Sequence, residues 1–281
     1  MTRVRTDDLD FTLPPDLIAQ SPCPERSAAR LLHYRRDSRG ISHRSFADLP
    51  VLLRPGDLLV FNDSRVLPAR FTLRKSSGGL IEGLFLREES PGRWISLLKG
   101  VGRHGSDPLH FAEESSITVR IIHRGGGGEC GLELSPPIPA AVLLARLGRM
   151  PLPPYIRRRK RHDPLDDMDR ERYQTVYARE EGSVAAPTAG LHFTPDLLAK
   201  LAAAGVERAA VTLHVGLGTF KGVESDRLED HRMHAERYFV AADAAEAVNR
   251  AKAAGRRVIA VGTTACRVLE SRPEGPLQAG E

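Results

Sequence analysis

The chain twice spells a helix, a glycine stop and a short apolar strand, and this repeated unit restricts its fold more than any other feature. Thr194-Pro195-Asp196 carries the signals of a helix start: a hydroxyl N-cap, proline at the first helical position, and a carboxylate at the positive end of the helix dipole. Leu197, Leu198 and Leu201 form its apolar stripe, Ala204-Gly205 ends it, and Val206 to His214 follows as a buried strand. Ala242 to Ala254, Gly255 and Val258 to Gly262 repeat the order. Helix then strand, twice, predicts α/β layering with at least some parallel pairing. Ala29 to Tyr34 and Gly56 to Asn62 read as earlier strands, the second ended by Asn62-Asp63-Ser64.

Between these parts the texture changes. Ala69 to Leu73, Leu80 to Leu86, Trp94 to Leu98, Ile117 to His123 and Gly131 to Leu134 are short alternating segments separated by glycine and serine turns. That spacing predicts a small antiparallel barrel or sandwich. Gly125 to Gly128 reads as a hairpin connection, because no Gly-Lys-Ser/Thr follows it and no helix begins there. Pro139 to Leu147 has helical spacing, Met150 to Ile156 is a proline-stiffened extended connection, and Tyr173 to Ala178 reads as a short strand or helix end. The pattern predicts an α/β fold in which residues 1–64 and 150–281 form one domain in two parts. A small antiparallel β-barrel domain, 65–149, is inserted between them.

At 281 residues and 41% hydrophobic content the chain has the composition of a globular protein of one large or two ordinary domains. It has no apolar run of about 20 residues, and its first ten residues are charged throughout, so the expected compartment is the cytoplasm, with no membrane association. Cys23, Cys130 and Cys266 are widely spaced, which indicates neither a disulfide framework nor a structural zinc site. The net charge of +5 admits a polyanionic partner. Arg157, Arg158, Arg159, Lys160 and Arg161 form a basic run followed by Asp163, Asp166, Asp167 and Asp169. This is either a solvated loop whose charges partly cancel or a phosphate-contacting patch for RNA. An aromatic content of 5% argues against an extensive base-stacking platform.

Active sites of α/β domains lie at strand exits, and three exits here mix glycine, threonine and histidine. They are Pro187-Thr188-Ala189-Gly190-Leu191-His192, His214-Val215-Gly216-Leu217-Gly218-Thr219 and Gly262-Thr263-Thr264. Each alone also fits a tight turn; three in one half of the chain point to a crevice. A second cluster, Asp230-His231-Arg232-Met233-His234-Ala235-Glu236, sets two histidines three apart with a carboxylate two beyond. A helix or turn there could present them to one metal ion, although no His-Glu-x-x-His appears. Proton transfer or hydrogen bonding is the better reading, with plain surface histidines as the alternative.

Phe61 to Arg70, Met150 to Ile156, Tyr173 to Ala178, Ala185 to Thr194, Val211 to Phe220, His231 to Glu236 and Val258 to Thr264 occur in the order seen in one family. Over Phe11 to Ser271 the chain closely resembles the S-adenosylmethionine:tRNA ribosyltransferase-isomerases of queuosine biosynthesis. The resemblance implies an α/β domain with an inserted β-barrel. It implies an enzyme that moves the ribosyl part of S-adenosylmethionine onto 7-aminomethyl-7-deazaguanine (preQ1) at the wobble position of a tRNA anticodon. The product is epoxyqueuosine; adenine and methionine are released. S-adenosylmethionine is then a co-substrate, no prosthetic group or metal is expected, and the chain is expected to act as a monomer.

Such a reaction needs a base for the ribose C5′ proton, an acid for the departing adenine, and a free amine on preQ1. His214, His231 and His234 are the candidate proton carriers, with Glu236 or Asp230 orienting one of them. Thr188, His192, Gly216, Gly218, Thr219, Asp230, Thr263 and Thr264 are candidates for substrate binding. Arg65, Arg70 and the run Arg157, Arg158, Arg159, Lys160, Arg161 are candidates for tRNA phosphates. Members of the family continue past the equivalent of Glu270-Ser271 through further aromatic and Thr-Asn-Phe-His-Leu-Pro segments, whereas this sequence stops at Glu281, so the pocket is expected to lack a wall. Two other readings follow: an inactive tRNA-binding remnant, and a metal-dependent hydrolase built on His231, His234 and Glu236.

Overall fold

The computed structural model describes residues 4–102, 107–159, 162–216, 218, 222–223, 225–271 and 275–280. The chain parts into two compact units, one of Met1–Arg65, Pro154–Ile156 and Arg172–Glu281, the other of Val66–Pro153 and Arg157–Glu171. In chain order, β1 (Arg30–Arg35) and β2 (Gly40–Ser45) form an antiparallel hairpin, α1 (Leu49–Leu52) is one turn, and β3 (Leu58–Asn62) and β4 (Ser64–Val66) follow. The barrel strands are β5 (Arg70–Arg74), β6 (Leu80–Ser90), β7 (Arg93–Lys99), β8 (Leu109–Phe111), β9 (Thr118–Arg124) and β10 (Glu129–Ser135), succeeded by α2 (Ala140–Leu147) and α3 (Asp166–Arg172). The remainder is β11 (Glu180–Ser183), α4 (Pro195–Ala203), β12 (Glu207–Leu213), β13 (Tyr238–Phe239), α5 (Ala242–Ala253), β14 (Val258–Ala260) and α6 (Thr263–Glu270).

In the second unit six antiparallel strands close into a barrel in the order β10-β7-β6-β5-β8-β9. Alternation puts Phe71, Phe85, Trp94 and Phe111 inside, where Trp94 meets Phe85 at 5.3 Å and Phe71 at 5.8 Å between ring centroids. Gly83 leaves room for this packing, since a Cβ there would lie 2.2 Å from the Phe71 ring. Five of the strands follow the alternation visible in the sequence; β8, with three residues, holds too little alternation to recognise.

The charged stretch after Met150 also departs from expectation. Asp166–Arg172 is helix α3, and Arg157–Glu171 groups with the barrel unit. Asp163 turns the chain into that helix, accepting hydrogen bonds from the backbone N–H groups of Arg159 (2.8 Å) and Leu165 (3.0 Å). Those bonds hold its carboxyl below the usual range. Tyr173 to Ala178 is neither strand nor helix; its course is set by Tyr177, whose ring packs edge-on to Phe61 at 4.6 Å.

In the first unit the main sheet runs β13-β12-β3-β14, with β12 and β14 parallel to β3 and β13 antiparallel to β12. Every residue of β3 is buried, as a central parallel strand covered on both faces requires. Leu58 and Val60 enter a core with Val248, Ala251 and Val268 of α5 and α6, while Leu59 and Phe61 face Leu197 and Leu201 of α4. Helices therefore cover both faces. The Thr194 hydroxyl accepts from the Leu197 N–H at 3.1 Å, and Gly205 (φ +76°) and Gly255 (φ +65°) take the left-handed conformation that stops α4 and α5.

Candidate active site at the strand exits of the α/β unit

The parallel strands β3, β12 and β14 all release their chains at the same end of the sheet. Asn62, fully buried at the end of β3, donates from Nδ2 to the Leu213 carbonyl (3.0 Å) and accepts on Oδ1 from Leu213 N–H (2.9 Å) and Ser64 N–H (3.2 Å). Its amide thus continues the ladder past the last backbone pair. Asp63 follows with a buried carboxylate that accepts from Thr212 Oγ1 (2.7 Å) and pairs with Arg179 (2.9 Å). The sequence reading treated Asn62-Asp63-Ser64 as a strand terminator; a polar trio directly after a fully apolar run was the available signal.

Ser183 joins the first two glycine-threonine exits. Its Oγ donates to the Ala185 carbonyl (2.7 Å) and accepts from Val215 N–H (3.1 Å), while Val184 N–H donates to the Val215 carbonyl (3.1 Å). The third exit backs onto the first: Gly262 has φ +89°, and a Cβ on it would stand 3.3 Å from that of Ala189. The first exit therefore abuts the third, and the segment leading into it is bonded to the second.

Thr188 and His192 lie on a 3₁₀ turn, Thr188–His192. Thr188 is exposed, whereas His192 is half-buried, its Nδ1 3.1 Å from the Ala189 carbonyl oxygen and its ring 5.2 Å from Phe46. Gly190 in this turn abuts the Tyr177 hydroxyl, which is buried without a hydrogen-bond partner among the described residues; burial, with the Asp63 charge beside it, pushes that phenol well up. Thr263 and Thr264 begin α6, Thr263 exposed and the Thr264 hydroxyl buried without a partner among the described residues. His214 lies against Gly182, where a Cβ would come within 2.9 Å of the imidazole Nδ1, and lines a cavity of about 350 Å³ with Arg179, Thr212 and Arg237.

The second cluster corrects its reading. No helix presents His231 and His234: the 3₁₀ turn Leu228–Asp230 ends at Asp230, which is exposed, and the following residues up to β13 are irregular. Glu236, its side chain 7% exposed, accepts from Gly216 N–H (3.0 Å) on one oxygen and from Arg267 (2.5 Å) on the other. A second nitrogen of Arg267 donates to the His234 carbonyl. Glu236 therefore fixes the glycine run to the histidine segment, and among the described residues it bonds neither imidazole. Gly218 completes the contact, since a Cβ there would meet the His234 ring at 2.3 Å. Among the described residues no group of three or more His, Cys, Asp or Glu side chains is placed to hold a metal ion. Sequence reasoning missed Arg267, whose partner lies 31 residues away with no local pattern linking them.

The candidate arginines divide. Arg158 is withdrawn as a phosphate contact: its guanidinium donates to both oxygens of Asp169 (2.6 and 2.9 Å), with both side chains under 10% exposed. Arg65, Arg157 and Arg159 are exposed, Arg65 giving one bond to the Ala178 carbonyl at 3.3 Å. Arg70, half-buried, lies on β5 of the barrel unit. Thr219, Lys160 and Arg161 lie outside the described residues.

Comparison with known proteins matches residues 6–279 to the family described as queuosine biosynthesis protein. The chain is 46% identical to the S-adenosylmethionine:tRNA ribosyltransferase-isomerase of Geobacter metallireducens, over 99% of its own length and 80% of the relative's. It is 50% identical to the protein of that name from Ralstonia pickettii, over 97% of this chain and 74% of the other. A crystal structure of S-adenosylmethionine tRNA ribosyltransferase from Thermotoga maritima is 30% identical, covering 96% of this chain and 74% of that one at a TM-score of 0.44. With motif-bearing loops gathered at one end of its parallel sheet and relatives of this similarity along nearly its whole length, the chain belongs to the queuosine biosynthesis protein family.

Proposed function

We propose that this chain is an S-adenosylmethionine:tRNA ribosyltransferase-isomerase. It transfers the ribosyl group of S-adenosylmethionine to the aminomethyl nitrogen of preQ1 at the tRNA wobble position and isomerises it to epoxyqueuosine. The observation that carries the reading is the family match over residues 6–279, which spans the three exits and both histidine segments. Catalysis divides into three proton movements. The sulfonium acidifies the ribose C5′ hydrogen, which a near-neutral base removes; an acid assists adenine as its glycosidic bond breaks; and the amine attacks as the free base. Methionine leaves with the sulfur when the C5′–S bond breaks.

His214, His231 and His234 are the proton carriers in this reading. Glu236, with both oxygens engaged, is a positioning residue, because it ties Gly216 to Arg267. Thr188, His192, Gly216, Gly218, Thr219, Asp230, Thr263 and Thr264 contact the substrates. Arg65, Arg70, Arg157 and Arg159 meet tRNA phosphates, along with Lys160 and Arg161. We take the barrel unit as a domain inserted into the α/β domain, and the enzyme as a cytoplasmic monomer. Nucleoside mass spectrometry of preQ1-containing tRNA after incubation with the chain and S-adenosylmethionine tests the reaction. The expected result is epoxyqueuosine; unaltered preQ1 contradicts it. Alanine substitutions of His214, His231 and His234 test the roles, and unchanged adenine release in all three removes them.

A further inference from the structure

On the barrel unit two arginines stand side by side with only one of them engaged. Arg70 opens β5 and pairs through an antiparallel bridge with Arg149, Arg70 N–H donating to the Arg149 carbonyl (3.0 Å) and Arg149 N–H to the Arg70 carbonyl (2.8 Å). Residues opposed in such a bridge carry their side chains on the same face, with Cβ atoms roughly 5 Å apart. Arg149 is held in place, donating to the buried Thr72 hydroxyl (2.6 Å) and the Arg159 carbonyl (3.4 Å). The half-buried Arg70 guanidinium makes no side-chain hydrogen bond and no ion pair among the described residues. Glu82 and Asp166 attract it only from beyond ion-pair distance, and desolvation followed by the Arg149 charge lowers its pKa. Two guanidiniums on one face, with the nearest carboxylates beyond ion-pair distance, concentrate positive charge and suit an anionic partner.

We propose that Arg70 and Arg149 form a two-guanidinium clamp for one phosphodiester of the tRNA, so that the barrel unit fixes the RNA backbone. This rests on the reading of the chain as a tRNA-modifying enzyme. A phosphodiester spreads one negative charge over two non-bridging oxygens, which suits the planar donor fork of Arg70 with the charge of the anchored Arg149 beside it. The other substrate fits poorly: S-adenosylmethionine carries a sulfonium, an ammonium and one carboxylate, and its net positive charge is repelled by two guanidiniums.

The test measures binding of an unmodified tRNA transcript by fluorescence anisotropy across a salt series, and of S-adenosylmethionine by calorimetry, for the full chain and for Arg70→Gln, Arg149→Gln and Arg70→Lys. Thermal melts establish that each variant is folded. The clamp predicts that either glutamine variant binds tRNA about tenfold more weakly at moderate salt. The slope of log K against log salt falls by about one in each. Arg70→Lys keeps most of the slope, and S-adenosylmethionine affinity stays as in the parent. Parental tRNA affinity and slope in both folded glutamine variants overturn the clamp alone. A loss confined to S-adenosylmethionine also overturns it, by assigning the anion to the carboxylate. A parent chain that binds no tRNA overturns the underlying reading, and the clamp with it.

Discussion

The strand exits of the α/β unit and the Arg70 side of the barrel unit treat charge in opposite ways. At the exits each buried carboxylate is matched from several directions: Asp63 by Arg179 and Thr212, Glu236 by Arg267 and Gly216 N–H. Asp57, at the other end of β3, is matched by Arg257 and the Arg54 N–H. All but the local Arg54–Asp57 bond join segments distant in sequence and serve the architecture. In the barrel unit Arg158 is matched in the same manner by Asp169, whereas Arg70 makes no ion pair among the described residues and stands opposite Arg149, with Glu82 and Asp166 farther off. Equal charge on one unit thus sits in two settings, one with a carboxylate in hydrogen-bond contact and one without.

Stability measurements can break that comparison. Arg158→Gln strands the Asp169 carboxylate in a buried site and is expected to cost about 3 kcal/mol in chemical denaturation. Glu236→Ala leaves a partly exposed Arg267 and the Gly216 N–H without their acceptor, an expected loss of about 2 kcal/mol. It also frees the glycine run, so any activity should fall more than the stability loss alone accounts for. Asp57 gives a pH signature. Burial pushes its carboxyl up, but the Arg257 side chain and the Arg54 N–H outweigh burial and leave it below its ordinary value. Its contribution is complete above the unfolded carboxylate range and is lost as pH falls through the lower folded value. Between about pH 5 and pH 3, Asp57→Asn should therefore lose less stability than the parent. Arg70→Gln is expected to show the smallest effect, a change under about 1 kcal/mol or a slight stabilisation, since it relieves repulsion and breaks no pair. A loss for Arg70→Gln as large as that for Arg158→Gln would erase the distinction.

Local chemistry made much of this fold legible. The apolar run of β3, the Thr194-Pro195 start of α4 and the glycine at its end carry their structural reasons within a few residues. Helix α3 was hidden because Asp166–Arg172 is charged on every side; its helicity depends on Asp163 and on the Arg158–Asp169 pair, not on an apolar stripe. The three glycine-threonine exits could be recognised singly from sequence. Their contacts through Ser183 and Gly262 could not, because these need the parallel order of β12, β3 and β14. The role of Glu236 was misjudged for a related reason: nearness in sequence suggested a histidine, and the fold supplied Arg267.

Turnover of S-adenosylmethionine on tRNA is tested most directly by adenine release, followed by chromatography, from the purified chain with S-adenosylmethionine and tRNA carrying preQ1, in the presence of a chelator. The expected result is adenine and methionine in equal amounts, dependent on the preQ1-tRNA and indifferent to the chelator. No adenine above a tRNA-free control, or release only on adding a divalent metal, would contradict it.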